Sequence, residues 1–374
     1  MATSPIKAIA FDSIDDFLIA ICEKLQLSLT EYALAKQRYE GIGGYLDRHE
    51  QLSRFSPTVY PQGSVRLGTT VRPKGSQEYD IDLVCELKID ATGVRKPIAV
   101  LDLVQAAIEQ NLIYRPLLER KNRCVRLNYA GKFHLDILPA IPDLASGGTC
   151  VLVPDCKAGD WKASNPKGYA RWFDDRCRFR PPQVRAKAAQ LPEAEAVEEK
   201  AALKLAVQLV KRARDVHFAG NPDLSPRSIT LTTLFALHYA GETSTYEAIS
   251  SILSRILLSL PTAGRLVVLN PMNFQEDFSE TWEARRQYVA FVNFIREFRT
   301  RWETLGAATG IHNVKGILEK SFGEDVTVEV VEDQVKKVNE ARARSALSVA
   351  ATGILMRTPS PVATPTPRHT FHGK

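Results

Sequence analysis

No run of 18 apolar residues occurs in this 374-residue chain. The most lipid-like stretch, Ile249 to Leu260, is interrupted by Arg255 and reads as a buried helix, so no membrane association is expected. The opening residues, MATSPIKAIAFDS, lack the charged, apolar and small-residue segments of a secretory leader, so a cytoplasmic protein is expected. Cysteine pairs are missing too. Cys22, Cys85, Cys124, Cys150, Cys156 and Cys177 form no C-x-x-C motif, and no histidine stands at zinc-finger spacing. That argues against structural zinc and for reduced, buried thiols. Charge of one sign is scarce: 49 Lys plus Arg against 43 Asp plus Glu leave +6, where a nucleic-acid-coating protein is usually more lopsided. No internal repeat points to a solenoid. What remains is 44% apolar and 25% charged residues, the make-up of a globular chain of about two domains.

Residues 13 to about 54 carry Ile14, Phe17, Leu18, Ile21, Leu25 and Leu29 at helical spacing, which predicts one long helix or two in tandem. Ser13 with Asp16 resembles a capping start, and Gly41–Gly44 is a place to kink or stop. From Thr58 to Pro142 the pattern shifts to short strands. Tyr79 to Leu87 and Arg123 to Pro139 alternate, with a turn at 129–132 between strands and a helix over 97–111. Pro181-Pro182 and the Glu/Ala-rich run to Lys200 mark a boundary. Helical patterns follow over roughly 193–217, 226–240, 244–260 and 278–305, while 326–331 fits a strand or a helix equally. The last segment, with Pro359, Pro361, Pro365 and Pro367, reads as an extended, mobile tail.

Three pieces of the strand-rich half carry chemistry. In Pro61-Gln-Gly-Ser-Val-Arg-Leu-Gly68, Gly63 leaves room for a phosphate to approach the backbone, and Ser64 adds a hydroxyl at a helix start. Most Gly-Ser pairs are simply turns. In Tyr79-Asp-Ile-Asp-Leu-Val-Cys85, strand alternation puts Asp80 and Asp82 on one face, about 6.5–7 Å apart. Such a pair either sits solvated on an edge strand or repels and calls for a cation, for which oxygen ligands suit Mg²⁺. In Lys132-Phe-His-Leu-Asp-Ile-Leu-Pro139, a third carboxylate, Asp136, lies on another alternating strand. On the same face, His134 either supports the acids or merely packs.

In order and context these pieces resemble the polymerase β-like nucleotidyltransferase superfamily. The wider chain is similar to its branch of bacterial cyclic-oligonucleotide synthases, relatives of cyclic GMP-AMP synthase and oligoadenylate synthase. PQGSVRLGT, EYDIDLVCEL, FHLDILPAIP, NPKGYARWF, and VQLVKRARD followed by SPRSITLTTL carry the resemblance, which spans most of residues 13–345. It implies an α+β fold: a polymerase β-like core, with a mixed sheet flanked by helices and a long N-terminal spine helix, packed on a C-terminal helical domain. The expected divisions are 1–185 for the catalytic core, 186–345 for a helical domain completing the nucleotide pocket, and 346–374 for a flexible Pro-rich tail. Asp80 and Asp82 are then expected to bind two Mg²⁺ ions, for which Mn²⁺ substitutes. Asp136 would bind the one that activates the acceptor hydroxyl, and Gly63 and Ser64 would hold the donor triphosphate.

In the helical half, Lys200, Lys204, Lys211 and Arg214 share about a quarter of a helix circumference, a solvated basic face or a phosphate-binding one. The family match makes Lys211 a triphosphate ligand. Ser228, in Ser225-Pro-Arg-Ser228, sits where free amides hold an anion or where a helix is merely capped. Tyr169 and Trp172, on a loop at 165–172, offer a flat face for a base or fill the domain junction.

The resemblance implies an enzyme that joins nucleoside triphosphates (ATP, GTP or others) into a cyclic di- or trinucleotide second messenger, releasing pyrophosphate. The product would switch on an effector in bacterial anti-phage (CBASS) signalling. Ubiquitin-transfer-like partners would handle the tail, and a nucleic-acid activator is not expected. The other readings are transfer of one nucleotide to an RNA, protein or small-molecule acceptor, and a catalytically silent nucleotide-binding regulator.

Overall fold

The computed structural model describes residues 14–74, 78–131, 133–178, 193–308 and 311–343, together with three two-residue strands beyond them. Ser13 and most of the predicted tail lie outside the described residues. The N-terminal segment forms two helices in tandem, α1 (Ile14–Lys24) and α2 (Leu29–Arg48), with α3 (Glu50–Ser53) after them. The break between α1 and α2 is a capping box: Glu31 N donates to Ser28 Oγ at 3.1 Å, and Ser28 N donates to Glu31 Oε2 at 2.7 Å. Two orphan helix-start amides are satisfied this way. Of the two expectations for Gly41–Gly44, a stop is not met, since α2 continues through it to Arg48. Fully buried Ile42 and Leu46 hold that face on the core, and burial overrides the weak helix propensity of glycine.

Strand β1 (Thr58–Gln62) runs into the short helix α4 (Gly63–Leu67), then β2 (Tyr79–Glu86) and α5 (Ile98–Glu109). After these come β3 (Leu118–Arg120), β4 (Val125–Tyr129), β5 (Phe133–Pro142), β6 (Val151–Asp155) and β7 (Asp160–Ser164). The main sheet is ordered β1-β2-β5-β4-β3, with β6 pairing the far end of β5 and β7 pairing β6. Only β2 and β5 pair in parallel; the other neighbours are antiparallel, so the sheet is mixed. A parallel pair needs a long crossover, and α5 with the β3–β4 hairpin supplies it. The predicted turn after Tyr129 joins β4 to β5, with Gly131 at φ 72°. Alternation then sorts the faces: Ile81, Leu83, Cys85, Leu135 and Ile137 are fully buried against α2 and α5, while Asp80, Asp82 and Asp136 face the other way.

That other face looks toward a helical half. It comprises α6 (Pro166–Cys177), α7 (Ala202–His217), α8 (Ser228–His238) and α9 (Thr245–Leu258). A small ribbon of β8 (Leu269–Asn270) and β9 (Asn273–Asp277) precedes α10 (Arg285–Ala307), α11 (Ile311–Phe322) and α12 (Glu324–Ala343). Residues 326–331 are thus helical. Beyond α12, β10 (Ser348–Val349) pairs with β11 (Leu355–Met356) and β12 (Thr364–Pro365). One apolar core joins α7–α12 with α1 and α6. Phe17, Leu18, Ile21 and Phe173 therefore bury their side chains with the helical half, although they precede residue 185 in the chain. No described helix is long and apolar enough to cross a membrane. All six cysteines are free; Cys22 and Cys85 are buried.

Candidate active site

Parallel register sets Asp82 directly beside Asp136, and Asp80 beside His134. The third acid therefore lies on the same sheet face as the first two. Arg126, opposite Asp136 across the β4–β5 hairpin, forks onto it: Nε reaches Oδ1 at 2.7 Å and Nη2 reaches Oδ2 at 2.8 Å. The same Nη2 lies 3.2 Å from Asp80 Oδ1. His134 spans Glu78 (2.9 Å) and Asp80 (3.5 Å), so it supports the acids rather than filling the core. Burial first, and then Asp136 and Asp80, push the Asp82 carboxyl up to about 7, outweighing the pull of Lys211 and Arg126. Asp80 is raised as well, chiefly by burial. The face is short of positive charge.

Gly63 abuts this face. It adopts φ 63°, and a Cβ there would collide with Asp82 Oδ2, so glycine is required twice over, by backbone conformation and by space. Ser64 follows on α4, its Oγ 3.3 Å from Thr70 Oγ1. Gly68, at φ 68°, closes the helix in the left-handed conformation.

Across the cleft, Lys211 is only 6% exposed and donates to the Thr69 carbonyl at 2.9 Å. Burial, then Arg214, pushes it down to about 7. Arg214 donates to Ser228 Oγ at 2.6 Å and to Asp215. Ser228 is the first residue of α8 and not its cap, a position held by Arg227 without a side-chain bond. A polar cavity of about 350 Å³ gathers Gly63, Ser64, Asp80, Asp82, Lys211 and Ser228 on its walls. A second cavity, of about 290 Å³, meets it at Gly63 and Asp82.

Six of the seven residues singled out in the sequence thus line one cavity, and Asp136 stands beside Asp82 at its edge. The basic stripe fares differently. Lys200 precedes α7 and donates to Gln26, Lys204 pairs with Glu195 at 2.5 Å, and only Lys211 and Arg214 reach the cavity. Residues 166–172 are helical and not a loop, because Asn165 caps Gly168 N and Pro166 suits the first turn. Tyr169 is buried, with its hydroxyl 2.9 Å from Thr233 Oγ1, yet its ring lines the second cavity. Arg126 was missed. Counting three residues outward from each end of the Tyr129–Phe133 hairpin pairs it with Asp136, a signal the spacing did contain.

Asp80, Asp82 and Asp136 offer hard oxygen donors of the kind divalent cations take. Among the described residues, no three acidic, histidine or cysteine side chains converge on one point as they stand; Asp136 gives both oxygens to Arg126 instead. The excess negative charge at Asp82 still fits a cation, for which Lys211 and Arg126 compensate only in part.

A mixed sheet bearing these acids beside a Gly-Ser turn, closed by a helical half, defines a nucleotidyltransferase of polymerase β-like build. Residues 13–176 match the Second Messenger Oligonucleotide or Dinucleotide Synthetase domain. A c-di-GMP synthase of Roseivirga ehrenbergii is 32% identical, over 96% of this chain and 97% of its own. The cyclic dinucleotide synthase CdnG of Bradyrhizobium diazoefficiens is 26% identical over 90% of this chain and 86% of its own. The structure of Bradyrhizobium diazoefficiens CdnG in complex with GTP superposes with TM-score 0.72 at 23% identity, covering 87% of this chain and 99% of that one. The chain belongs to the bacterial cyclic-oligonucleotide synthases, enzymes that build cyclic nucleotide messengers from nucleoside triphosphates.

Proposed function

We propose that the chain makes a cyclic dinucleotide from GTP. Each of two successive steps forms one phosphodiester bond from a ribose hydroxyl, breaks one α–β phosphoanhydride bond and releases one pyrophosphate. The register that seats Asp82 beside Asp136, at the mouth of a cavity holding Lys211 and Ser228, carries this reading. Asp80, Asp82 and Asp136 would hold divalent cations, two of them on Asp80 and Asp82 with Asp136 completing one. Mg²⁺ or Mn²⁺ bound there would supply Lewis acidity and charge neutralisation for phosphoryl transfer.

The chain's own residues do the rest. Gly63 lets phosphate come close to the backbone, Ser64 and Ser228 donate hydroxyl hydrogen bonds, and Lys211 neutralises triphosphate charge. Burial and Arg214 lower the proton affinity of Lys211 in the empty site, and an anionic ligand beside it raises that affinity again. Arg126 orients Asp136 bidentately. The product acts on a separate effector in cytoplasmic anti-phage (CBASS) signalling, with the tail as a site for regulatory proteins. The test is incubation with all four triphosphates and Mg²⁺, then mass and nuclease mapping. A phosphatase-resistant guanine dinucleotide is expected; transfer of a single nucleotide only, or no pyrophosphate release, would overturn the reading.

A further inference from the structure

The second cavity has a chemistry distinct from the first. Its walls include the buried rings of Tyr169 and Phe278, set edge-to-face at 5.6 Å, and, away from the Asp82 that it shares with the first cavity, a second carboxylate, Glu276. That carboxylate is fixed from below: Asn270 Nδ2 donates to Oε2 at 2.7 Å, and Ser164 Oγ lies 3.1 and 3.2 Å from its two oxygens. A carboxylate has about four acceptor sites, and these two donors fill about half of them. Asn270 is itself almost wholly buried, and β8, β9 and β7 brace the group from three strands. Lys162 and Arg123 line the same cavity, held by Glu280 and Asp155.

We infer that this cavity receives a guanine base and that Glu276 selects it. The inference rests on the reading that the substrates are nucleoside triphosphates. Guanine presents two adjacent donors, N1–H and the N2 amine, which match a two-oxygen acceptor, and its O6 and N7 accept from cations such as Lys162 and Arg123. Adenine presents a lone pair at N1, which would face the carboxylate oxygens and leave buried acceptors unpaired. A site built around such a match rejects the mismatched analogue strongly. Burial raises Glu276, while Asn270 and Ser164 oppose that rise by bonding its charged form, the form guanine needs.

The test is equilibrium binding of the α,β-methylene analogues of GTP, ITP and ATP to the full chain with Mg²⁺, for wild type and Glu276→Gln. Wild type should bind the GTP analogue about 10-fold more tightly than that of ITP, which lacks the N2 amine, and more tightly still than that of ATP. Glu276→Gln should weaken the GTP analogue about 10–100-fold and change ATP little. Equal binding of GTP and ITP analogues by wild type would overturn the assignment, and this arm needs no variant. So would a Glu276→Gln protein with a wild-type melt and unaltered guanine preference. Product mapping on the same samples separates the two ideas. Base selection without a cyclic product would sink only the proposed activity; a cyclic product indifferent to Glu276 would sink only the guanine assignment.

Discussion

Strand β2 and helix α7 both carry charged residues into the interior, and they do so by different rules. On β2 the period of two puts Asp80 and Asp82 on the cleft face and Ile81 and Leu83 in the core. On α7 the neighbours Lys211 and Arg212 are both buried, at 6% and 1% exposure, yet they serve opposite sides. Lys211 reaches the cavity, whereas Arg212 donates to the Phe322 carbonyl at 2.7 Å and pairs with Asp325 at 2.7 Å. A half-buried strand sorts its residues into faces. A helix packed on nearly every side does not.

The largest way to break this contrast is on the strand. Asp82→Asn should cut turnover about 10³-fold or more while leaving a cooperative melt, because it removes like-charge repulsion and no core contact. Turnover near wild type would deny Asp82 its role. On the helix, Lys211→Met should weaken GTP-analogue binding about 10–100-fold, the worth of a charge-assisted bond, with little change in apo stability at pH 7, because losing a desolvated ammonium offsets the Thr69 carbonyl left unpaired. Arg212→Met should do the reverse. Leaving the Phe322 carbonyl unpaired costs about 1–3 kcal/mol in urea unfolding, with nucleotide affinity unchanged for the folded protein. Equal effects of the two substitutions on affinity would erase the distinction drawn between them. Gly63→Ala should cost about 1–2 kcal/mol from the left-handed backbone alone, and more from the collision with Asp82, seen as a lowered urea midpoint.

A further effect is one of pH. Lys211 has its native proton affinity depressed to about 7 against 10.5 in the unfolded chain. Between those values the unfolded chain holds a proton that the native protein lacks, so native stability gains as pH rises. The penalty is full below about 7 and vanishes above about 10.5. Apo wild type should therefore gain stability relative to Lys211→Met between pH 7 and 10, measured by urea unfolding; a constant difference would mean that Lys211 stays charged when empty.

The acidic face was legible because alternation is a local rule that tolerates no slip: one residue of register would send Asp136 to the core. The same rule, applied across the hairpin, also contained Arg126. The helical wall was only half legible. Lys211 and Arg214 share a stripe with Lys200 and Lys204, but which cations meet the cavity depends on Glu195 and Gln26 capturing the others, one from outside the helix and one from far along the chain. Nor does periodicity reveal the break at residues 25–28, which the capping box alone announces, or Glu276, whose importance comes from Asn270 and Ser164 meeting it across strands.

The most direct test counts cations. Mn²⁺ bound per chain, followed by electron paramagnetic resonance with the α,β-methylene analogue of GTP present, should reach two for wild type and fall to one for Asp136→Asn, with the analogue still bound. Two tightly held ions in that variant, as in wild type, would contradict the part given to Asp136 beside Asp82.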